Sequence, residues 1–151
     1  MTSEVISVDV SDLRKRILRA LDEARKDATS RRGVLDEAAQ SYEAFLQTHG
    51  IPLLKQAVQV LRAEKHLFTL NTPADGPRIA SEASPNTYLE FALDSTGAVP
   101  QVIGRVSLAH GRQGRIVEER PLAPGTPVAD VTEDDVAKFL VTEIPKLILR
   151  P

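Results

Sequence analysis

The sequence contains no cysteine and no tryptophan, and its aromatic residues of the Phe/Trp/Tyr class are two tyrosines and four phenylalanines. The lack of cysteine excludes disulfides, thiolate metal sites and a cysteine nucleophile. With so few aromatic side chains, the core must rest on Leu, Val, Ile and Ala. At 42% hydrophobic residues, the chain can still bury a substantial core.

Long apolar runs and an excess of one charge are also missing. No stretch approaches the roughly 18 apolar residues that a membrane helix needs, and the first residues lack the basic and apolar segments of a signal peptide. The formal net charge is -2, which gives no general attraction to nucleic acid or anionic membranes. The sequence therefore predicts a cytoplasmic protein. Its 151 residues fit one domain, or a small domain with a helical extension.

The hydrophobic rhythm changes near residue 66. Apolar residues recur every three or four positions before that point and alternate after it, which indicates helices followed by strands. We therefore predict an α+β fold with a helical region, 1–66, and a region of antiparallel sheet plus a C-terminal helix, 67–151. The expected elements are two or three N-terminal helices, a meander of four or five strands, and a last helix packed on the sheet. The two regions are expected to form one compact unit.

The first helix has one apolar stripe and one charged face. Asp9 or Ser11 can cap it, and Asp22 and Lys26 stand in the favourable i,i+4 order. The stripe starts at Val10 and ends in alanines, which allow another helix to approach closely. A partner chain is expected to cover it, and its predicted partner-binding residues are Leu13, Ile17, Ala20, Ala24 and Ala28.

Glycine suggests two interruptions in the helical region. The stripe lapses around Gly33 and resumes at Leu35, Ala38, Tyr42 and Phe45 with a shift of phase, so we predict a break or sharp kink there and a helical hairpin. Gly50 suits the left-handed position after a helix end, and Pro52 suits the start of a third helix that runs to Glu64.

Alternation predicts the strands that follow, and Gly and Pro mark the turns between them. Gly104 in mid-strand indicates a bulge or a close approach by another element. Residues 66–71 are left open between the end of the third helix and a strand. Thr132 can cap the last helix, and Pro145 should kink it or end its regular part. The expected strands cover 67–71, 78–83, 88–94, 102–108 and 116–120.

Motifs for chemistry are scarce. The three histidines lie in different predicted elements, no nucleotide-binding or hydrolase motif occurs, and we predict no metal, no cofactor and no catalytic residue. Basic side chains on the first helix and at a Gly-rich hairpin tip could contact an anion or nucleic acid. These candidates are Arg14, Arg19, Arg31, Arg32, Arg112 and Arg115.

Three functional hypotheses follow from this pattern. The first is a protein-interaction or adaptor protein that acts by binding rather than catalysis, as a homodimer or with another protein. The second is a nucleic-acid-binding regulator that uses the basic first helix and the hairpin tip of Arg112 and Arg115. The third is a ligand-binding or enzymatic domain with a pocket between the sheet and the helices.

Overall fold

The computed structural model of the chain describes residues 9–73, 76–112 and 114–149. Within these ranges the protein has the predicted α+β composition, with helices at both ends and a five-stranded sheet between them. The helices are α1 (Val10–Phe45), α2 (Ile51–Ala63) and α3 (Glu133–Leu149), and a π-helical turn (Leu46–Gly50) joins α1 to α2. The strands are β1 (Phe68–Asn71), β2 (Arg78–Ser81), β3 (Tyr88–Asp94), β4 (Gln101–His110) and β5 (Gly114–Pro121).

The chain divides into two compact units. One ends at Glu37 and consists, in its described part, of the N-terminal portion of α1. The other begins at Ala38 and holds the last turns of α1, the remaining helices and the whole sheet. No helix among the described residues is long and apolar enough to cross a membrane.

The predicted helical hairpin at Gly33 is wrong, because α1 is one helix of 36 residues that passes through this glycine. The two stripes are in phase rather than shifted. Leu35 follows Ile17 by 18 residues, which is five full turns at 3.6 residues per turn. A glycine in a helix interior costs about 1 kcal/mol relative to alanine, which is too little to break a helix with a consistent apolar face.

The left-handed conformation predicted for Gly50 is also wrong. Its φ is -65° and its ψ is -61°, both helical, and the backbone continues from the π-helical turn into α2. The site is tight, because a Cβ would lie 3.2 Å from Leu46 Cδ2 and 3.3 Å from Phe45 Cε2, and these side chains would have to shift slightly to admit it. The third predicted helix is confirmed as α2, within one residue at each end.

The five strands form an antiparallel meander in the order β1-β2-β3-β4-β5, as predicted. The open question at residues 66–71 is decided in favour of a strand, because β1 pairs with β2 from Phe68 opposite Ser81 to Asn71 opposite Arg78. The strand expected at 102–108 is longer in the structure and runs from Gln101 to His110.

One face of the sheet carries the core. Phe91 on β3 contacts the ring of Phe45 edge-on, with centroids 6.1 Å apart, and the tilted ring of Phe139 at 6.1 Å. Phe139 belongs to α3, so the C-terminal helix packs on the sheet as predicted. The fully buried aliphatic residues of this core are Leu54, Ile79, Leu89, Val102, Val106 and Val136.

The ends of α3 are only partly as expected. The predicted cap is confirmed: the Asp135 amide donates to Thr132 Oγ1 at 3.2 Å, and the Thr132 amide donates to Asp135 Oδ2 at 2.9 Å. Pro145 does not end the helix, which continues to Leu149. The apolar face on both sides of the proline holds the last turns against the core.

Candidate functional site

The N-terminal part of α1 presents an uncovered apolar surface. Every residue from Asp9 to Ser30 is exposed, including Leu13 at 46% and Ile17 at 49% of full exposure. At about 100° per residue, these side chains share one side of the helix. We call this surface the α1 stripe, and it consists of Val10, Leu13, Ile17, Ala20, Leu21, Ala24 and Ala28.

All five predicted partner-binding residues lie in the α1 stripe. Leu21 belongs to it as well. The sequence prediction omits Leu21 because it follows the step of three residues from Ile17 to Ala20 and not the step of four from Ile17 to Leu21. The spacing of Ile17, Leu21, Ala24 and Ala28 is four, three and four, which is typical of a heptad seam. That spacing was readable in the sequence.

The opposite side of α1 is charged and internally paired. Arg16 contacts Asp12 and Lys26 contacts Asp22, each with a nitrogen–oxygen distance of 3.2 Å. Both pairs have i,i+4 spacing, which stabilises a helix by a few tenths of a kcal/mol. The polar side of the helix is therefore suited to water, whereas the α1 stripe is not.

The last turns of α1 pack against the core. Tyr42 stacks on Phe45 with ring centroids 6.2 Å apart, and Phe45 is buried against Phe91. Tyr42 and Phe45 therefore hold the last turns of α1 against the core. The residues of α1 up to Ser30 are exposed.

A charged row crosses the other face of the sheet. Arg78, Glu90, Arg105 and Glu119 stand directly opposite one another on four neighbouring strands. Glu90 is only 2% exposed. It accepts hydrogen bonds from Arg78 at 2.6 Å and from Arg105, which also bonds to Glu119. These two carboxylates raise the pKa of Arg105, Glu119 more than Glu90.

Tyr88 lies next to this charged row and is buried. The Arg78 guanidinium stands over its ring, 4.0 Å from the centroid. Arg115 donates from Nη1 to the Tyr88 hydroxyl at 3.0 Å. One of the predicted anion-binding arginines therefore also anchors the β4–β5 hairpin to β3.

The six arginines predicted for anion or nucleic-acid contact are distributed over both units. Arg112 and Arg115 belong to the β4–β5 hairpin, and the other four lie on α1. Along α1, Arg19 stands about 140° around the helix from Arg14, so these side chains do not share one face. The α1 arginines are therefore spread around the helix, whereas Arg112 and Arg115 lie in one hairpin.

Two buried polar atoms lack a hydrogen-bond partner within the described ranges, the Tyr42 hydroxyl and His49 Nδ1. Burial raises the pKa of Tyr42, with a smaller contribution from the nearby carboxylate of Glu43. His49 lies in the π-helical turn, whereas His66 and His110 lie far from it in the chain. In the described part of the chain, no three or more His, Cys, Asp or Glu side chains are grouped so as to hold a metal ion.

The space between α3 and the sheet is filled at Gly104, but near the C-terminal end of α3 a pocket of about 510 Å³ is lined by Phe68, Ser81 and Leu147. The ring of Phe139 occupies the position that a side chain at Gly104 would take, so the close approach predicted for this glycine is confirmed. Beside the ring, a depression of about 140 Å³ contains Arg120 and Glu143, which pair at 3.2 Å. A larger apolar groove of about 340 Å³ lies between α2 and α3.

No protein-family model, no curated protein and no solved structure matches this chain. The geometry of its own residues is therefore the basis for a functional proposal.

Proposed function

We propose that this protein acts by binding other protein chains rather than by catalysis, and that it associates with a second copy of itself through the α1 stripe. The observation that carries the proposal is that every residue from Asp9 to Ser30 is exposed in a helix with an aliphatic side. Helices in proteins gain most of their stability from packing of the amphipathic face. A partner that covers this stripe would supply the missing packing.

The side chains of the stripe favour an antiparallel pair of α1 helices. The heptad seam includes Arg14, four residues after Val10 and three before Ile17. In a parallel pair in register, this arginine would face its own copy across the seam, and like charges in contact destabilise the pair.

An antiparallel pair centred on Arg19 avoids that repulsion. It sets Ile17 opposite Leu21 of the second copy and Arg14 opposite Ala24. Ala24 leaves room for the Arg14 side chain of the other copy, and the carboxylates of Glu23 and Asp27 lie within one helical turn of Ala24. The pair thus buries aliphatic side chains and places a basic group near acidic ones.

A cytoplasmic location is part of the same proposal. The chain has no cysteine and therefore needs no oxidising compartment to complete its fold. The nucleic-acid alternative has weaker support, because the basic residues of α1 point to different sides of the helix. The enzymatic alternative also has weaker support, because the charged side chains beside Phe139 are paired with each other.

The test is the mass of the protein in solution, measured by light scattering over a range of concentrations. Ile17→Glu places a charge in the middle of the stripe and should halve the mass. Ser30→Glu adds the same charge about 140° around the helix from Ile17 and should leave the mass unchanged. If Ile17→Glu keeps the wild-type mass and the wild-type helical circular dichroism, the α1 stripe is not the self-association surface.

A further inference from the structure

The sheet ends in an open edge at β5. This strand has eight residues, it is the last in the sheet, and its residues from Gly114 to Arg120 are exposed. The opposite edge strand, β1, is half as long, and its Phe68 carbonyl accepts a hydrogen bond from Arg62 Nη1 at 2.9 Å. A long strand edge offers unpaired backbone groups to another strand.

The direction of the β5 backbone groups follows from one hydrogen bond. The Leu122 amide donates to the Val102 carbonyl at 3.0 Å, in the same register as the β4–β5 pair. In an antiparallel ladder, residues alternate between bonding toward the neighbouring strand and pointing away from it. Arg115, Val117 and Glu119 therefore direct their N–H and C=O groups away from β4, toward the open edge.

We propose that β5 pairs with β5 of a second copy, antiparallel, about a two-fold axis at Val117. In this register Val117 stands opposite its own copy, and Arg115 stands opposite Glu119 in both directions. All three outward-pointing residues then meet outward-pointing residues. Each directly opposed pair exchanges two hydrogen bonds, which gives about six in total.

Charge complementarity supports this register. The charged row alternates in sign from Arg78 through Glu90 and Arg105 to Glu119, where the sheet ends. The two-fold pairing continues the alternation, because the next residue in the row is Arg115 of the second copy. Arg115 already donates to the Tyr88 hydroxyl, but a guanidinium has five N–H donors and can serve both partners.

Three other registers are less favourable. An axis at Glu118 sets this glutamate opposite its own copy and places Pro121, which has no N–H, opposite Arg115. An axis at Glu119 sets two glutamates opposite each other, and an axis at Arg115 does the same with two arginines. Like charges directly opposite destabilise a strand pair.

This surface goes beyond the proposed function, because it lies on the sheet and does not depend on the α1 stripe. Two different two-fold contacts on one chain build an assembly larger than a dimer, which closes as a tetramer when the axes intersect at right angles. The wild-type protein should then have the mass of a tetramer or of a longer assembly. Ile17→Glu should leave a dimer held by β5.

The first test of the edge is Arg115→Glu, which places two glutamates opposite each other in both directions. It should halve the mass of the wild type, and it should convert the dimer of Ile17→Glu into a monomer. Arg112→Glu is the matched control: it makes the same charge change in the hairpin turn, outside the paired strand, and should leave the mass unchanged. An equal loss with both variants would overturn the proposal.

The second test is Val117→Pro, which removes an amide that points away from β4 and should halve the mass without breaking the β4–β5 ladder. Val117→Thr keeps this amide and should retain the wild-type mass. Circular dichroism reports whether Val117→Pro folds. If it does not fold, the comparison of Arg115→Glu with Arg112→Glu tests the edge pairing. A monomeric Ile17→Glu protein would overturn the edge pairing while supporting the α1 stripe. If Ile17→Glu keeps the wild-type mass and Arg115→Glu halves it, the edge pairing is supported and the α1 stripe is not a self-association surface.

Discussion

The ring of Phe139 lies over Gly104, in the space that a side chain on β4 would occupy. Phe139 is 1% exposed and also contacts Phe91, so this one ring joins α3 to the two central strands of the core. Arg120 stands over the same ring, 4.6 Å from its centroid. The absence of a side chain at residue 104 is therefore what lets the C-terminal helix sit on the sheet.

Gly104→Ala should destabilise the protein by about 1–3 kcal/mol, because a methyl group would overlap the Phe139 ring and force it out of its packing. Denaturant unfolding measures the change. Adding Phe139→Leu to Gly104→Ala should recover part of the loss, since the two residues are in contact and their effects are not additive. Wild-type stability in Gly104→Ala would show that the helix packs elsewhere.

The strands and their order were predictable because their signals are local. Alternation along Tyr88 to Asp94 and the glycines at the turns are each readable within a few residues. The stripe of α1 was predictable for the same reason. Its continuity was not, because recognising that Leu35 stands in phase with Ile17 requires counting five turns across Gly33.

The charged row could not be predicted from the sequence. Arg78, Glu90, Arg105 and Glu119 are 12 to 15 residues apart, and nothing local connects them. They meet because the cross-strand register places them opposite one another, and a shift of one residue in any hairpin would send one side chain to the other face. The open edge at β5 likewise depends on the strand order rather than on the composition of the strand.

Gly33→Ala should stabilise α1, because this glycine lies inside the helix with nothing within 4 Å of its missing Cβ. The expected gain is about 0.5–1 kcal/mol, from the lower backbone entropy of alanine in the unfolded chain. Thermal loss of the helical circular dichroism signal measures it. Gly33→Pro is the opposite control and should reduce the helical signal. A loss of helical signal in Gly33→Ala would indicate that α1 is not continuous at this residue.

Glu90→Gln should destabilise the protein by about 2–3 kcal/mol. Two arginines donate to this buried carboxylate, hydrogen bonds to charged groups are worth about 1.5–3 kcal/mol, and the variant leaves Arg78 and Arg105 facing each other. Glu82→Gln is the matched control, since Glu82 also binds an arginine, Arg62, but lies exposed. Equal losses of stability in the two variants, measured by denaturant unfolding, would mean that burial of Glu90 adds nothing.

Tyr42 gives the protein a predicted weakness at high pH. Burial raises the pKa of its hydroxyl above the ordinary value of 10.0. Above pH 10, the unfolded chain therefore loses this proton while the folded chain keeps it, and stability falls as the pH rises toward the folded-state pKa.

Tyr42→Phe should remove this contribution. Its denaturant midpoint should decline less steeply above pH 10 than that of the wild type, and the ultraviolet absorbance of the unfolded chain should show one tyrosinate fewer. At neutral pH the variant should be as stable as the wild type or more so, because the hydroxyl is buried without a hydrogen-bond partner in the described ranges. A marked loss of stability at neutral pH would instead indicate that the hydroxyl makes a stabilising bond. The identical substitution Tyr88→Phe provides the contrast, since the Tyr88 hydroxyl accepts from Arg115 and its removal should cost stability at neutral pH.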